Sequence, residues 1–364
     1  MAGFRMNLTV ADTLHLFLCL GSLLLLSRLF NAFAGRISLP AVLGEILLGI
    51  LIGPTFLGTF FPAVSEWLFP VTGDISIAMK NLSRFAVIML LLVAGMETNL
   101  KALQVDRIKV ISTTLGSAIV PFSAGFLLVF FNPALFDVSP EKHSLLSCFV
   151  GISLAISALP VIIRILMDLG LYGSSIGRVT VAAASLLDLL GWTAFTMVLG
   201  YLNPVPIQDA VRMLWSHTTL LSFIVGVIVG NLPFIHAKVR RLAHDFVIPV
   251  LSPLFFLSIG ATVNFASNLN VTLIAVVIIA ATASKLFGTF LGARLGGING
   301  KEALAIGFAL NARGAMEIIL SKHALEAGLI KPNLYVALIV MAIFTSMLSV
   351  PAIKYLILNQ RNQQ

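Results

Sequence analysis

No Asp, Glu, Lys or Arg falls between Lys109 and Asp137, Lys142 and Arg164, Asp245 and Lys285, or Lys331 and Lys354. Apolar runs of about 18 residues or more read as membrane-crossing helices. In lipid the backbone must satisfy its own hydrogen bonds, and a helix does so within one segment. A membrane barrel would need short segments of alternating polarity, and this chain has none. The sequence therefore describes an all-α polytopic membrane protein. Composition agrees, with hydrophobic residues at 59% and charged residues at 10% of 364, too little charge to cover a soluble domain of this size.

The net charge of +8 is not a nucleic-acid signal, because the basic residues sit in short loops between apolar runs. Cys19 and Cys148 lie inside apolar segments and imply no disulfide framework. The first apolar segment follows Arg5, as in a signal peptide. It is long, has no small-residue cleavage site and is followed by further spans, so it reads as a helix.

The pattern predicts about eleven transmembrane helices, over 11–31, 38–57, 82–99, 108–131, 144–167, 175–200, 217–235, 246–265, 271–292, 302–325 and 333–357. Pro62, Pro70, Gly73 and Asp74 make 58–81 a loop or re-entrant stretch. One side gathers Arg36, Lys101, Arg107, Lys109, Arg164, Arg178, Lys238, Arg240, Arg241, Arg294, Lys301, Lys354 and Arg361. That side is the cytoplasmic one, which places the N-terminus outside and the C-terminus inside a plasma (inner) membrane.

An internal repeat runs through these segments. GILIGP at Gly49–Pro54 resembles GVIVGN at Gly226–Asn231, and LLLVAGMETNL at Leu90–Leu100 resembles PLFFLSIGATVNF at Pro253–Phe265. GISLAIS at Gly151–Ser157 lines up with GFALNAR at Gly307–Arg313. The expected organisation is an extra N-terminal helix in 1–36, a first five-helix repeat in 37–200, and a short linker in 201–216. A second repeat in 217–357 and a cytoplasmic tail in 358–364 follow. An offset of five helices inverts one half relative to the other. Inverted repeats mark secondary transporters that hold substrate near the midplane.

Asp188 falls in the middle of VAAASLLDLLGWTAF, deep in the sixth helix. Ionisable groups at membrane depth are expensive and functional by default. Desolvation disfavours a bare charge there, so the carboxyl takes up a proton or a cation in turn. The structural alternative is an Asp hydrogen-bonded in a helix seam. Lys285, mid-span in ASKLFGTFLGARL, can partner Asp188 or balance charge. SALP at Ser157–Pro160 and NARG at Asn311–Gly314 interrupt matching helices of the two halves. Pro160 removes a backbone donor and Gly314 relaxes the second site. Paired interruptions point to a transporter site whose freed carbonyls ligate a cation; ordinary kinks are the alternative. Ser157, Ser185 and Asn311 are candidate co-ligands. Arg313 and Glu317 stand four apart and can pair. Glu45 lines a funnel or caps a neighbouring helix, Glu97 is interfacial, and the six histidines form no metal-ligand grouping. Neither a cofactor motif nor an enzyme's nucleophile motif is present.

Together LPAVLGEILLGILIGPTFLG, LLLVAGMETNL, ISALPVIIRIL, SLLDLLGW, KLFGTFLGARL and LNARGAMEIIL resemble the second family of monovalent cation:proton antiporters, over about Leu39–Ser349. The resemblance implies a panel domain and a core domain, and two broken helices crossing beside an essential Asp. By it Asp188 is that Asp, Lys285 the basic residue of the neighbouring core helix, and Glu317 the acidic residue after the second break. It implies monovalent cations and protons as the transported partners, no cofactor, and a homodimer through the panel. Two features depart from the family pattern. Leu187 stands where members commonly carry a polar or acidic residue, and Tyr201–Ser216 replaces about two helices. No C-terminal nucleotide-binding domain follows, which argues against a ligand-gated potassium-efflux system. Two other readings stay open: a non-transporting remnant that regulates a partner, and a sodium-coupled organic-anion symporter.

Overall fold

The computed structural model describes residues 9–34, 41–70, 72–97, 106–202, 218–232, 246–261 and 263–358. Most of the 201–216 linker, Asn99 and the tail beyond residue 358 lie outside these. In chain order the helices are α1 (Val10–Ala34), α2 (Ala41–Ile52), α3 (Leu57–Phe60), α4 (Pro62–Leu68), α5 (Gly73–Glu97), α6 (Arg107–Phe131) and α7 (Pro133–Phe136). After a 3₁₀ turn at Pro140–Lys142 come α8 (His143–Ala155), α9 (Leu159–Asp168), α10 (Ser175–Leu202) and α11 (Thr218–Asn231). A π turn at Val247–Leu251 leads into α12 (Ser252–Gly260). Then follow α13 (Val271–Leu295), α14 (Gly300–Leu310), α15 (Ala315–Glu326) and α16 (Pro332–Ile353).

Among the described residues, seven helices are long and apolar enough to cross a membrane, within α1, α2–α3, α5, α6, α10, α13 and α16. Two shorter apolar helices occupy Leu221–Asn231 and Pro249–Gly260. The segments expected at 144–167 and 302–325 are each divided into two half-helices, α8/α9 and α14/α15.

Residues 58–81 differ from the expectation of a loop or re-entrant stretch. They form α3, α4 and the first turns of α5. Pro62 occupies the first turn of α4, where its missing N–H costs nothing. Gly73 takes a left-handed φ of 83°, which turns the chain, and Asp74 in the first turn of α5 complements the helix dipole. Lys80 and Arg84 interrupt the apolar pattern without interrupting the helix. The eighth expected span, 246–265, also differs: its regular α-helix is confined to Ser252–Gly260 behind the π turn.

The chain divides into two compact units. Unit 1 comprises residues 1–96 and 222–268, and unit 2 comprises 97–221 and 269–364. Unit 1 holds the first, second and eighth expected spans and most of the third and seventh, and unit 2 holds the fourth to sixth and the ninth to eleventh. Within unit 1, α2 crosses α12 with Gly49 against the Leu257 backbone and Gly260 against the backbone of Ile46 to Ile50. α5 crosses α11 at Gly95 and Gly226 in the same manner. A Cβ at any of these four positions would overlap a facing carbonyl, so glycine sets the helix separation. In unit 2, α6 meets α13 through Gly116, Gly288 and Gly292, and α8 through Gly125 and Gly151. An apolar cluster that includes Leu159, Ile162, Ala183, Leu187, Ile306 and Leu310 fills the space around the half-helices.

Candidate ion-binding site

The two helix breaks meet in unit 2. Ile156 and Ala158 are extended, and Pro160 lies in the first turn of α9. On the other segment α14 ends at Leu310, and α15 begins after Gly314. The Ala158 N–H donates to the Ala312 carbonyl at 3.0 Å, and Ser157 Oγ donates to the Leu310 carbonyl at 2.7 Å. Gly314 permits this approach: a Cβ there would lie 2.7 Å from Val161 Cγ2 and 3.3 Å from Ala158 Cβ.

Asp188 on α10 is 1% exposed. The Leu159 backbone N–H, at the start of α9, bonds to its carboxylate. The first N–H groups of a helix have no intrahelical partner and carry partial positive charge, so the half-helix offers this carboxylate a complementary end. Asp188 Oδ1 has no hydrogen-bond partner among the described residues. Asn311, fully buried at the second break, also has both amide atoms unbonded. Unsatisfied buried polar atoms each cost about 1–3 kcal/mol, and native structures explain such groups by a ligand, an ion or water. Ser185 lies three residues before Asp188, with its hydroxyl hydrogen donated to the Val181 carbonyl at 2.9 Å. Among the described residues Asp188 Oδ1 and Asn311 Oδ1 are thus oxygen atoms without partners, and the Ser157 and Ser185 hydroxyls donate to carbonyls with their own lone pairs left to accept.

Lys285 and Arg313 bond to the opposite end of the first break. Lys285 is fully buried. It donates to the Ser117 carbonyl at 3.0 Å and to the Ala155 carbonyl. It makes no ion pair with Asp188 among the described residues, although Asp188, Glu317 and Arg313 all act on it electrostatically. Arg313 donates to the Ser153 carbonyl, to the Leu154 carbonyl at 2.6 Å and to Glu317 Oε2 at 3.2 Å. Its backbone N–H donates to Ser346 Oγ at 2.9 Å, and that hydroxyl donates to the Arg313 carbonyl. The last three carbonyls of α8 therefore each accept from a basic side chain, Arg313 or Lys285. This matches the partial negative charge of a helix C-terminus.

The Arg313–Glu317 pair expected from spacing is formed. The contacts of Arg313 and Lys285 to Ser117, Ser153, Leu154 and Ala155, and of Asp188 to Leu159, run to backbone atoms that no side-chain motif marks. Leu187 lines an apolar cavity of about 200 Å³ with Ala155, Ile156, Leu190 and Gly191, and supplies no polar atom. Glu45 lies in unit 1. Among the described residues no group of His, Cys, Asp and Glu could hold a metal ion.

The chain belongs to the sodium/hydrogen exchanger family of transmembrane proteins, whose family model matches residues 21–232 and 211–357. It is an integral membrane protein of all-helical fold. It is 28% identical to the Na⁺/H⁺ antiporter NhaS4 of Synechocystis, with 94% of this chain and 98% of that protein covered. It is 24% identical to the Na⁺/H⁺–K⁺ antiporter GerN of Bacillus cereus, with 92% and 94% covered. The fold matches that of the sodium proton antiporter MjNhaP1 from Methanocaldococcus jannaschii, with a TM-score of 0.63 at 17% identity over 95% of this chain and 99% of that one. The alignment with NhaS4 runs over 405 positions against a chain of 364, so that relative carries segments missing here. The two matched stretches overlap at 211–232, next to the linker where the sequence reading puts the shortening.

Proposed function

We propose that this protein is a secondary active transporter that exchanges a monovalent cation, sodium first, for protons by alternating access. The observation that carries the reading is Asp188: a membrane-buried carboxylate at a half-helix N-terminus, with one oxygen unpartnered beside the crossing of two broken helices. Such a group holds one small positive ion at a time, and that competition couples proton movement to cation movement. Ser157, Ser185 and Asn311 complete the ligand set. Arg313, Glu317 and Lys285 keep the breaks in place. The names of the Synechocystis and Bacillus relatives support exchange of sodium for protons, with potassium or lithium as further candidates.

Residues 37–200 and 217–357 act as inverted halves in this reading. The exchange of helices that the repeat requires would carry the α2–α12 glycine crossing onto the α5–α11 crossing, which supports it. Unit 2 holds both breaks and Asp188 and is the body that moves, while unit 1 is the fixed scaffold and the homodimer surface. The protein sits in the plasma (inner) membrane with its N-terminus outside and its C-terminus in the cytoplasm. The internal shortening favours one rival reading, a remnant without transport activity.

Lys285 makes the expectation more specific. Its Nζ is bonded to two carbonyls rather than to a carboxylate, and Leu187 offers no alternative partner. With Lys285 in one protonation state throughout the cycle, Asp188 is the single group that changes occupant. Exchange is then one for one and electrically silent. Purified protein in liposomes, clamped at several potassium–valinomycin potentials, should move protons against added sodium or lithium at a rate indifferent to the potential. A rate or end point that follows the voltage would show a second moving charge. Absence of flux from folded protein would favour the remnant.

A further inference from the structure

Besides Asp188 and Glu317, a further carboxyl is buried in unit 1. Glu45, on the fifth residue of α2, is 3% exposed. Asn31 Nδ2 on α1 donates to Glu45 Oε1 at 3.1 Å, and Ser252 Oγ, on the first residue of α12, donates to Oε2 at 3.1 Å. The same Asn31 amide reaches Ser27 Oγ at 3.4 Å, and Ser27 is fully buried. Asn31 Oδ1 is enclosed and has no hydrogen-bond partner among the described residues.

All of the described groups bonded to this carboxyl are neutral. The titratable or charged residues of α1 are Asp12, His15, Cys19 and Arg28. Asp12 is bonded to Thr9, His15 and Cys19 to the Trp67 carbonyl, and Arg28 is exposed. α3, α12 and the π turn before α12 carry no charged residue, and α2 carries none besides Glu45. No ion pair reaches Glu45 among the described residues. A buried carboxylate without a counter-charge is resolved by binding a small positive ion. An alkali ion requires a shell of oxygen lone pairs, whereas Asn31 and Ser252 aim hydrogens at this group. A proton requires one acceptor, and the Ser252 hydroxyl or the orphaned Asn31 Oδ1 supplies it.

We propose that Glu45 is a second proton-binding site, independent of Asp188, whose neutral acid closes a hydrogen-bonded clamp between α1, α2 and α12. Loss of the proton leaves an uncompensated charge in the clamp, so this carboxyl adds its own titration to the protein's response to pH.

Infrared difference spectra between acid and alkaline pH test this on solubilised protein. They are recorded in an Asp188→Asn background so that Asp188 contributes no signal. The expected result is the C=O band of a buried neutral carboxylic acid that fades as pH rises and is missing from Asp188→Asn/Glu45→Gln. Gln keeps the size of Glu45 and an oxygen to accept from Asn31, while its NH2 donates to the Ser252 hydroxyl in a bond of reversed direction; a thermal melt confirms that the double variant folds. Glu45→Asp, which stays titratable but reaches less far, should keep a band with its midpoint moved by about one pH unit. A band that survives Glu45→Gln unchanged, or no acid band in the Asp188→Asn background, overturns the proposal. The readout does not require transport, so its outcome is separate from that of the exchange reading.

Discussion

Asp188→Asn is expected to bring cation-driven proton flux down to the level of empty liposomes while the protein still folds. Asn keeps the size of Asp and an oxygen to accept from the Leu159 N–H, so the start of α9 stays capped. What it lacks is a group that can be neutral with a proton and charged for a cation. The variant also removes a buried charge from a low-dielectric environment, so a melt in detergent should show stability equal to or above wild type. Flux at the wild-type rate from Asp188→Asn would move the site elsewhere.

Arg313→Met is expected to cost the most stability of any single change in unit 2. Arg313 and Glu317 are each 1% exposed and 3.2 Å apart. Removal of one partner from a buried ion pair typically costs about 3–5 kcal/mol, because the other charge is left uncompensated. Here the Ser153 and Leu154 carbonyls also lose their donors. The double variant Arg313→Met/Glu317→Leu should recover part of the loss, since an apolar pair of similar volume is often neutral relative to a buried ion pair. It should not recover all of it, because the Ser153 and Leu154 carbonyls still lack their donors. A double-mutant cycle read by denaturation in detergent measures both quantities. An Arg313→Met protein as stable as wild type would show that the α8 carbonyls are satisfied in another way.

Of about eleven expected spans, seven long apolar helices stand among the described residues; they were legible because each is a run of apolar side chains, which hydropathy reads directly. The breaks were legible too. Pro160 cannot donate a backbone bond, and Asn311–Gly314 places a buried amide beside a residue without a side chain. The start of α5 was not legible, because Lys80 and Arg84 lower the apolar pattern over turns that are nevertheless helical. The site was legible as residue types but not as partners. Lys285 suggested a carboxylate partner, yet it bonds the carbonyls of Ser117 and Ala155. Every residue carries a carbonyl, so sequence cannot say which ones a fold leaves free. For the same reason the reach of Arg313 across to α8 had no signal beyond Glu317 four residues on. The sequence reads Glu45 as lining a funnel or capping a neighbouring helix; its burial and its ties to Asn31 and Ser252, which join positions far apart in the chain, carry no local signal.

The central claim is that proton and cation compete for the Asp188 carboxyl. Sodium affinity of the purified protein, measured by titration calorimetry over a series of pH values, tests it most directly. Competition for one group predicts that affinity falls about tenfold for each pH unit on the acid side, with one proton released per sodium bound. Asp188→Asn should neither bind sodium nor release protons. Sodium affinity that is the same at every pH, or that persists in Asp188→Asn, would contradict the account.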